Sequence, residues 1–134
     1  MSQVLAGFAN VIDTKIVPDE IPAIQAAIKE AVEKKVDLVL TSGGTGFAPR
    51  DVTPEATLPL ITKRADSLTE YMLREAGKIT PMAALSRCLI GVIVTETNST
   101  MVINLPGKPK AVKENFEILQ RKGVLGHALS QMKS

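Results

Sequence analysis

Thr41-Ser42-Gly43-Gly44-Thr45-Gly46-Phe47-Ala48-Pro49-Arg50-Asp51-Val52-Thr53-Pro54-Glu55-Ala56-Thr57 joins an apolar run to a helix start through a glycine-rich turn. The run that leads into it, Asp37-Leu38-Val39-Leu40, has the unbroken apolar character that a strand buried on both faces requires. Gly43, Gly44 and Gly46 tolerate positive φ and let a ligand approach the main chain. Thr53-Pro54 reads as an N-cap followed by proline in the first helical turn, which leaves unpaired N–H groups beside the loop. Strand, glycine turn and helix together form the arrangement in which an α/β domain binds an anion. Asp51 stands next to Arg50 just ahead of the helix. A carboxylate beside a phosphate site is unfavourable without an intervening cation, so Asp51 points to a Mg2+ ligand. The same stretch also reads as a tight turn with Asp51 capping the next helix, and a glycine-rich loop alone does not separate the two readings.

Outward from this loop, the patterning predicts alternating strands and helices. Val11–Val17 alternates partially and predicts a strand, after which Pro18-Asp19 introduces a helix over 20–35 with Ile24, Ile28, Ala31 and Val32 on one face. Helices are expected over 54–64, with Pro59 bending or breaking the first, and over 67–76, closed by Gly77. Cys88–Thr95 and Thr100–Leu105 are rich in β-branched residues and predict a hairpin across Glu96-Thr97-Asn98-Ser99. Pro106-Gly107 closes the second strand, and helices follow over 109–121 and 124–132. The implied fold class is α/β in three layers: a mostly parallel sheet with helices on both faces and one antiparallel hairpin. No internal repeat or linker interrupts it, so residues 1–134 read as a single domain.

Composition narrows the function. With no Trp, one Tyr and three Phe, the core is aliphatic. Sixteen basic and 14 acidic residues are interspersed and leave a net charge of +2, with no basic face carrying stacking aromatics, which argues against nucleic acid as a partner. Cys88 is the sole cysteine, so an internal disulfide and a multi-cysteine metal site are excluded, and it reads as a buried strand residue. His127 is the sole histidine, which excludes His-cluster zinc chemistry and leaves a surface or interface role. The first eight residues lack the basic region and long apolar stretch of a signal peptide, and no segment approaches the length of a membrane span. Asn98-Ser99-Thr100 matches the glycosylation pattern but reads as a turn. The chain is expected to be cytoplasmic.

The stretch from Gly43 to Thr57 resembles, nearly letter for letter, the signature of the molybdopterin adenylyltransferase family, which includes the amino-terminal G domain of gephyrin. Further matches follow in the family's order: Ile16-Val17-Pro18-Asp19-Glu20, Leu85-Ser86-Arg87, and Ile103-Asn104-Leu105-Pro106-Gly107. Molybdenum insertases and competence-damage-like proteins share a Gly-Gly turn with a following acidic residue, but lack the Arg-Asp-Val-Thr-Pro-Glu-Ala-Thr run. The resemblance extends from about Val11 to the C-terminus and implies a molybdopterin-binding fold. It also implies transfer of AMP from Mg2+–ATP to the terminal phosphate of molybdopterin, with pyrophosphate released, by a homotrimer in molybdenum cofactor biosynthesis. A molybdenum insertase is the implied partner.

Carried over residue by residue, the resemblance makes Asp51 the Mg2+ ligand and, with Asp19, a catalytic residue. It makes Gly43, Gly44, Thr45, Gly46, Ser86, Asn104 and Gly107 the binding residues, with Lys108 or Lys110 adding positive charge. Read without it, Asp19 is an N-cap, Ser86 a loop serine, and the two lysines a solvated pair at a helix start. Family members begin with an additional strand bearing Ser-Asp and an acidic, glycine-containing loop, to which nothing before Val4 corresponds. The domain is therefore expected to be N-terminally short, with main-chain groups of neighbouring strands unpaired at about 1 kcal/mol each and ATP binding weakened. Two other readings share the fold. One is a non-catalytic molybdopterin-binding or scaffold module, and the other is hydrolysis of a nucleotide diphosphate.

Overall fold

The computed structural model describes residues 7–134, and its elements follow the hydrophobic pattern closely. Helix α1 (Ile21–Glu33) begins with proline in its first turn and buries Ile24 and Ile28, which lie one turn apart. Strand β1 (Leu38–Ser42) leads into the glycine loop and helix α2 (Thr53–Thr57). Strand β2 (Lys63–Arg64), helix α3 (Asp66–Gly77), strands β3 (Ile90–Val94) and β4 (Ser99–Leu105), and helices α4 (Pro109–Gln120) and α5 (Val124–Gln131) complete the described residues.

The strands form one mixed sheet in the order β1-β4-β3-β2. β1 runs parallel to β4, whereas β4–β3 and β3–β2 are antiparallel. The expected hairpin is thus β3–β4, but the sheet is less parallel than the sequence suggests. Alternation along β4 divides the core. Met101, Ile103 and Leu105 face α3, α4 and α5 through Met72, Phe116 and Leu125, while Val102 faces α1 and α2 through Ile24, Ile28 and Ala56. Helices therefore cover both faces, and the buried aromatic is Phe116, met edge-on by Phe8 at 5.5 Å between ring centroids.

Two expectations fail for identifiable reasons. The helix predicted over 54–64 breaks around Pro59 as expected but does not resume: it ends at Thr57 and passes into a 3-10 turn, Leu58–Leu60. Pro59 has no N–H to donate and its ring collides with the carbonyl four residues back, so the α-helical ladder cannot continue. Lys63 and Arg64, placed in that helix, instead pair with Val92 and Gly91 as a two-residue strand. The second failure is Val11–Val17, which forms no strand. Val11, Ile12 and Ile16 are exposed, Ile16 completely, and the segment is tied to α1 by Lys34–Asp13 at 3.2 Å and by Lys15–Glu30. A strand needs a hydrogen-bonded neighbour. A groove of about 830 Å3 lies between this segment and β1, floored in part by the apolar side of α1. The expectations that fall on residues 1–6 lie outside the described residues.

The parallel ladder decides which main-chain groups of β1 border the groove. The Asp37 carbonyl accepts from the Met101 N–H at 3.0 Å, and the Gly43 N–H donates to the Leu105 carbonyl at 3.0 Å. In a parallel pair only alternate residues bond to a given neighbour, so Val39 and Thr41 complete this ladder while Leu38, Leu40 and Ser42 turn their main-chain groups away from β4. Amide hydrogen exchange read by NMR is expected to be faster at Leu40 and Ser42 than at Val39 and Thr41 by at least tenfold. Equal protection along β1 would contradict a ladder to β4 alone among the described residues.

Candidate functional site

The parallel pairing of β1 with β4 sets their C-terminal ends side by side, so the two turns that leave the sheet meet. The Ser42 hydroxyl donates to the Pro106 carbonyl at 3.1 Å. A Cβ on Gly107 would stand 3.3 Å from the Gly43 Cα, which explains glycine at the crossing point. Gly44 has φ of +71°, and its carbonyl accepts from the Thr53 N–H at 3.0 Å, folding the loop back onto the start of α2. Any Cβ at Gly44 would lie 2.2 Å from the Thr53 hydroxyl oxygen.

Asp51 closes the far side of the loop. One carboxylate oxygen accepts from the Ala48 N–H at 3.0 Å, and the Asp51 N–H returns a bond to the Ala48 carbonyl at 2.9 Å. The other carboxylate oxygen has no partner among the described residues. Within this frame the N–H groups of Gly44, Thr45, Gly46, Phe47 and Val52 donate to no acceptor among the described residues. A run of main-chain donors without protein partners in a turn can take up an anion.

Two polar side chains support the loop from below and from the side. Asn104 is fully buried, and its amide nitrogen donates to the hydroxyls of Thr41 at 3.0 Å and Thr57 at 3.2 Å. Thr57 gives its own proton to the Thr53 carbonyl at 2.8 Å, so only the NH2 end of Asn104 suits it, and the amide oxygen is left buried without a partner. Arg87 donates from Nε to the Gly46 carbonyl at 2.8 Å and from Nη2 to the Asp51 carbonyl at 2.7 Å, and pairs through Nη1 with Glu55. The hydrogen bond from Arg87 holds the Glu55 carboxyl below its ordinary range.

The structure brings Gly43, Gly44, Thr45, Gly46, Asp51 and Gly107 into one loop cluster, and gives the remaining sequence candidates distinct places. Thr45 is buried at 5% exposure, and its side chain hydrogen-bonds with the Cys88 sulfur. The Ser86 hydroxyl lies 2.8 Å from the Cys88 sulfur, and burial pushes the Cys88 thiol up, keeping it neutral. Asn104 acts from beneath, without surface of its own. Asp19 is exposed and lines the groove together with Gly43 and Thr53, whereas Asp51 does not border that groove. Lys108 and Lys110 are exposed at the start of α4 and make no ion pair among the described residues. Sequence reading gives Arg87 no role. Its side-chain partners lie 41, 36 and 32 residues away along the chain, so no local pattern announces it.

The family model described as "Probable molybdopterin binding domain" matches residues 2–125. The chain belongs to this molybdopterin-binding family. It is 44% identical over 107 residues to the molybdopterin adenylyltransferase of Haemophilus influenzae, a match covering 79% of this chain and 52% of that protein. It is 46% identical over 105 residues to gephyrin of Dictyostelium discoideum, covering 78% of this chain and 14% of that one. Among solved structures, the molybdopterin biosynthesis enzyme MoaB of Thermus thermophilus superposes with a TM-score of 0.86 at 44% identity, covering 98% of this chain and 80% of its own. The chain thus spans about half the length, or less, of the curated relatives it matches here.

Two outcomes check this geometry. Gly44→Ala is expected to lower stability by about 1–3 kcal/mol in urea unfolding, because the added methyl meets Thr53 at a positive φ. Glu55 has a depressed folded-state pKa, so its contribution is present above its unfolded value and is lost as pH falls through the folded value. The stability difference between the parent and Glu55→Gln, measured by unfolding at neutral pH and again in acid, is therefore expected to shrink as the carboxylate protonates.

Proposed function

We propose that this domain serves molybdenum cofactor biosynthesis by transferring AMP from ATP to the terminal phosphate of molybdopterin, with pyrophosphate leaving. The observation that carries this reading is the glycine loop, with its N–H groups of Gly44, Thr45, Gly46, Phe47 and Val52 unpaired among the described residues and an aspartate at its rim. The relatives named as adenylyltransferases support it. In such a transfer a phosphate oxygen attacks the α-phosphorus, and negative charge must be held on both reactants. Main-chain donors fixed in advance do this without a nucleophilic side chain, because they need no reorganisation as the charge moves.

The donor set suits Mg2+ only in the way that ion binds alongside substrate phosphates. Among the described residues no group of three His, Cys, Asp or Glu side chains could form a protein cage. Asp51 offers one uncommitted carboxylate oxygen, and Mg2+ commonly takes one or two carboxylates and completes its shell with water and phosphate. When bound there, the ion supplies charge neutralisation of the polyphosphate. Asp51 would hold that ion, the loop N–H groups would orient the phosphates, and Asp19 would act from the neighbouring groove. Ser86, Asn104 and Gly107 form the molybdopterin side of the site, Asn104 through the shape it imposes on Thr41 and Thr57.

The same reading makes the protein a cytoplasmic homotrimer that passes its product to a molybdenum insertase. No helix among the described residues is long and apolar enough to cross a membrane. The test is AMP transfer by the purified chain supplied with molybdopterin and Mg2+–ATP. Adduct and pyrophosphate are expected from the parent, and Asp51→Ala is expected to lose at least 100-fold in kcat while unfolding cooperatively. A folded parent chain that binds molybdopterin but forms no adduct would leave the scaffold reading in its place.

A further inference from the structure

We propose that Arg87 is the positioning residue of the glycine loop, fixing the direction in which the loop's N–H groups point. The inference deepens the function proposed above and rests on it. Arg87 reaches the loop at three places and the helix that follows it at a fourth. Its own N–H donates to the Thr45 carbonyl at 2.8 Å, its Nε to Gly46, its Nη2 to Asp51, and its Nη1 pairs with Glu55 in α2. Each of the three guanidinium nitrogens donates to a protein acceptor, which uses three of the five N–H groups and holds the side chain against the loop and the start of α2.

The consequence follows from peptide geometry. In a trans peptide the C=O and the next residue's N–H point in opposite directions. Holding the carbonyls of Thr45, Gly46 and Asp51 toward Arg87 therefore turns the N–H groups of Gly46, Phe47 and Val52 away from it, and these are among the donors with no protein partner. Three carbonyl oxygens that would repel an anion are taken up, those of Gly46 and Asp51 by the guanidinium and that of Thr45 by the Arg87 N–H, and three donors that would attract one are left on the opposite side. The loop cannot do this alone. Gly43 and Gly44 both adopt positive φ, and glycine leaves the main chain free to turn many other ways. Asp51 depends on the same contact, because its carbonyl is one of the three.

Lysine would not substitute. A planar guanidinium presents donors in a fixed fork, whereas an ammonium on a flexible stem keeps the charge without that geometry. The Glu55 partner is half exposed, so the ion pair itself adds little and the directional bonds to Gly46 and Asp51 carry the effect.

The decisive variant is Arg87→Lys in the full chain, studied with inorganic pyrophosphate as the anion probe and with AMP transfer as the second readout. Expected are an unfolding midpoint close to the parent's, pyrophosphate binding at least tenfold weaker by calorimetry, and a fall of at least 100-fold in kcat, in line with the cost of misplacing a catalytic group by about 1 Å. A folded Arg87→Lys chain that binds pyrophosphate as the parent does would overturn the proposal. Should that variant fail to fold, the parent decides. Pyrophosphate is expected to move the amide resonances of Gly46, Phe47 and Val52 more than those of other loop residues, and their remaining unmoved would sink the idea. If the parent binds pyrophosphate in this way yet transfers no AMP, the adenylylation reading fails while the role of Arg87 stands.

Discussion

The parallel pairing of five residues of β1 with five of β4, from Leu38 with Met101 to Ser42 with Leu105, is the constraint on which the rest of the site depends. It aligns two strands that are more than 60 residues apart in the chain and makes them end together. Because both continue into turns at the same level, their main chains converge, and Gly107 approaches Gly43 closely enough that a Cβ on Gly107 would stand 3.3 Å from the Gly43 Cα. One residue of slip would carry Asn104 from the buried threonine pair to the opposite face of the sheet, since side chains alternate along a strand. The register is thus fixed by apolar packing on both faces and by one polar contact within it.

That polar contact explains how an aliphatic core supports a polar loop. Asn104, Thr41 and Thr57 form a chain of hydrogen bonds that ends on the Thr53 carbonyl, at the first residue of α2. The unpartnered Asn104 oxygen costs about 1–3 kcal/mol of desolvation. An apolar residue of similar size would avoid that cost but could not hold the two hydroxyls. Arg87 does the corresponding work from outside the core. The loop, closed on itself by Asp51, is therefore also held by two residues that follow it in sequence.

Much of this was legible in the sequence. Leu38-Val39-Leu40 before Gly43-Gly44 declares a strand and a turn through local sterics, and Ile24 with Ile28 declares a helix face through spacing. Hydrophobic periodicity placed α1, α3, β3, β4, α4 and α5 to within a few residues. It misplaced Val11–Val17, because alternation records a preference for a pleated surface and not the presence of a neighbouring strand. It also missed β2, whose two charged residues carry no pattern at all. In the site, Asp51 and the glycines were legible since their chemistry is local, whereas Arg87 and the hydrogen bond between the Thr45 side chain and Cys88 were not, since both depend on partners far along the chain.

By itself the sequence determined the α/β class, the glycine turn and its acidic neighbour, and, through the wording of that turn, the family. These are properties of contiguous residues, set by φ preferences, side-chain spacing and the order of a motif. Only the tertiary structure decided which main-chain groups of the loop remain free, which carbonyls Arg87 takes up, and that Asn104 works from within the core. It also decided that β1 pairs with β4 along one edge and, among the described residues, with no strand along the other. The physical reason is that a hydrogen bond is satisfied or left free by whatever the fold brings within about 3 Å, and chain order does not contain that distance.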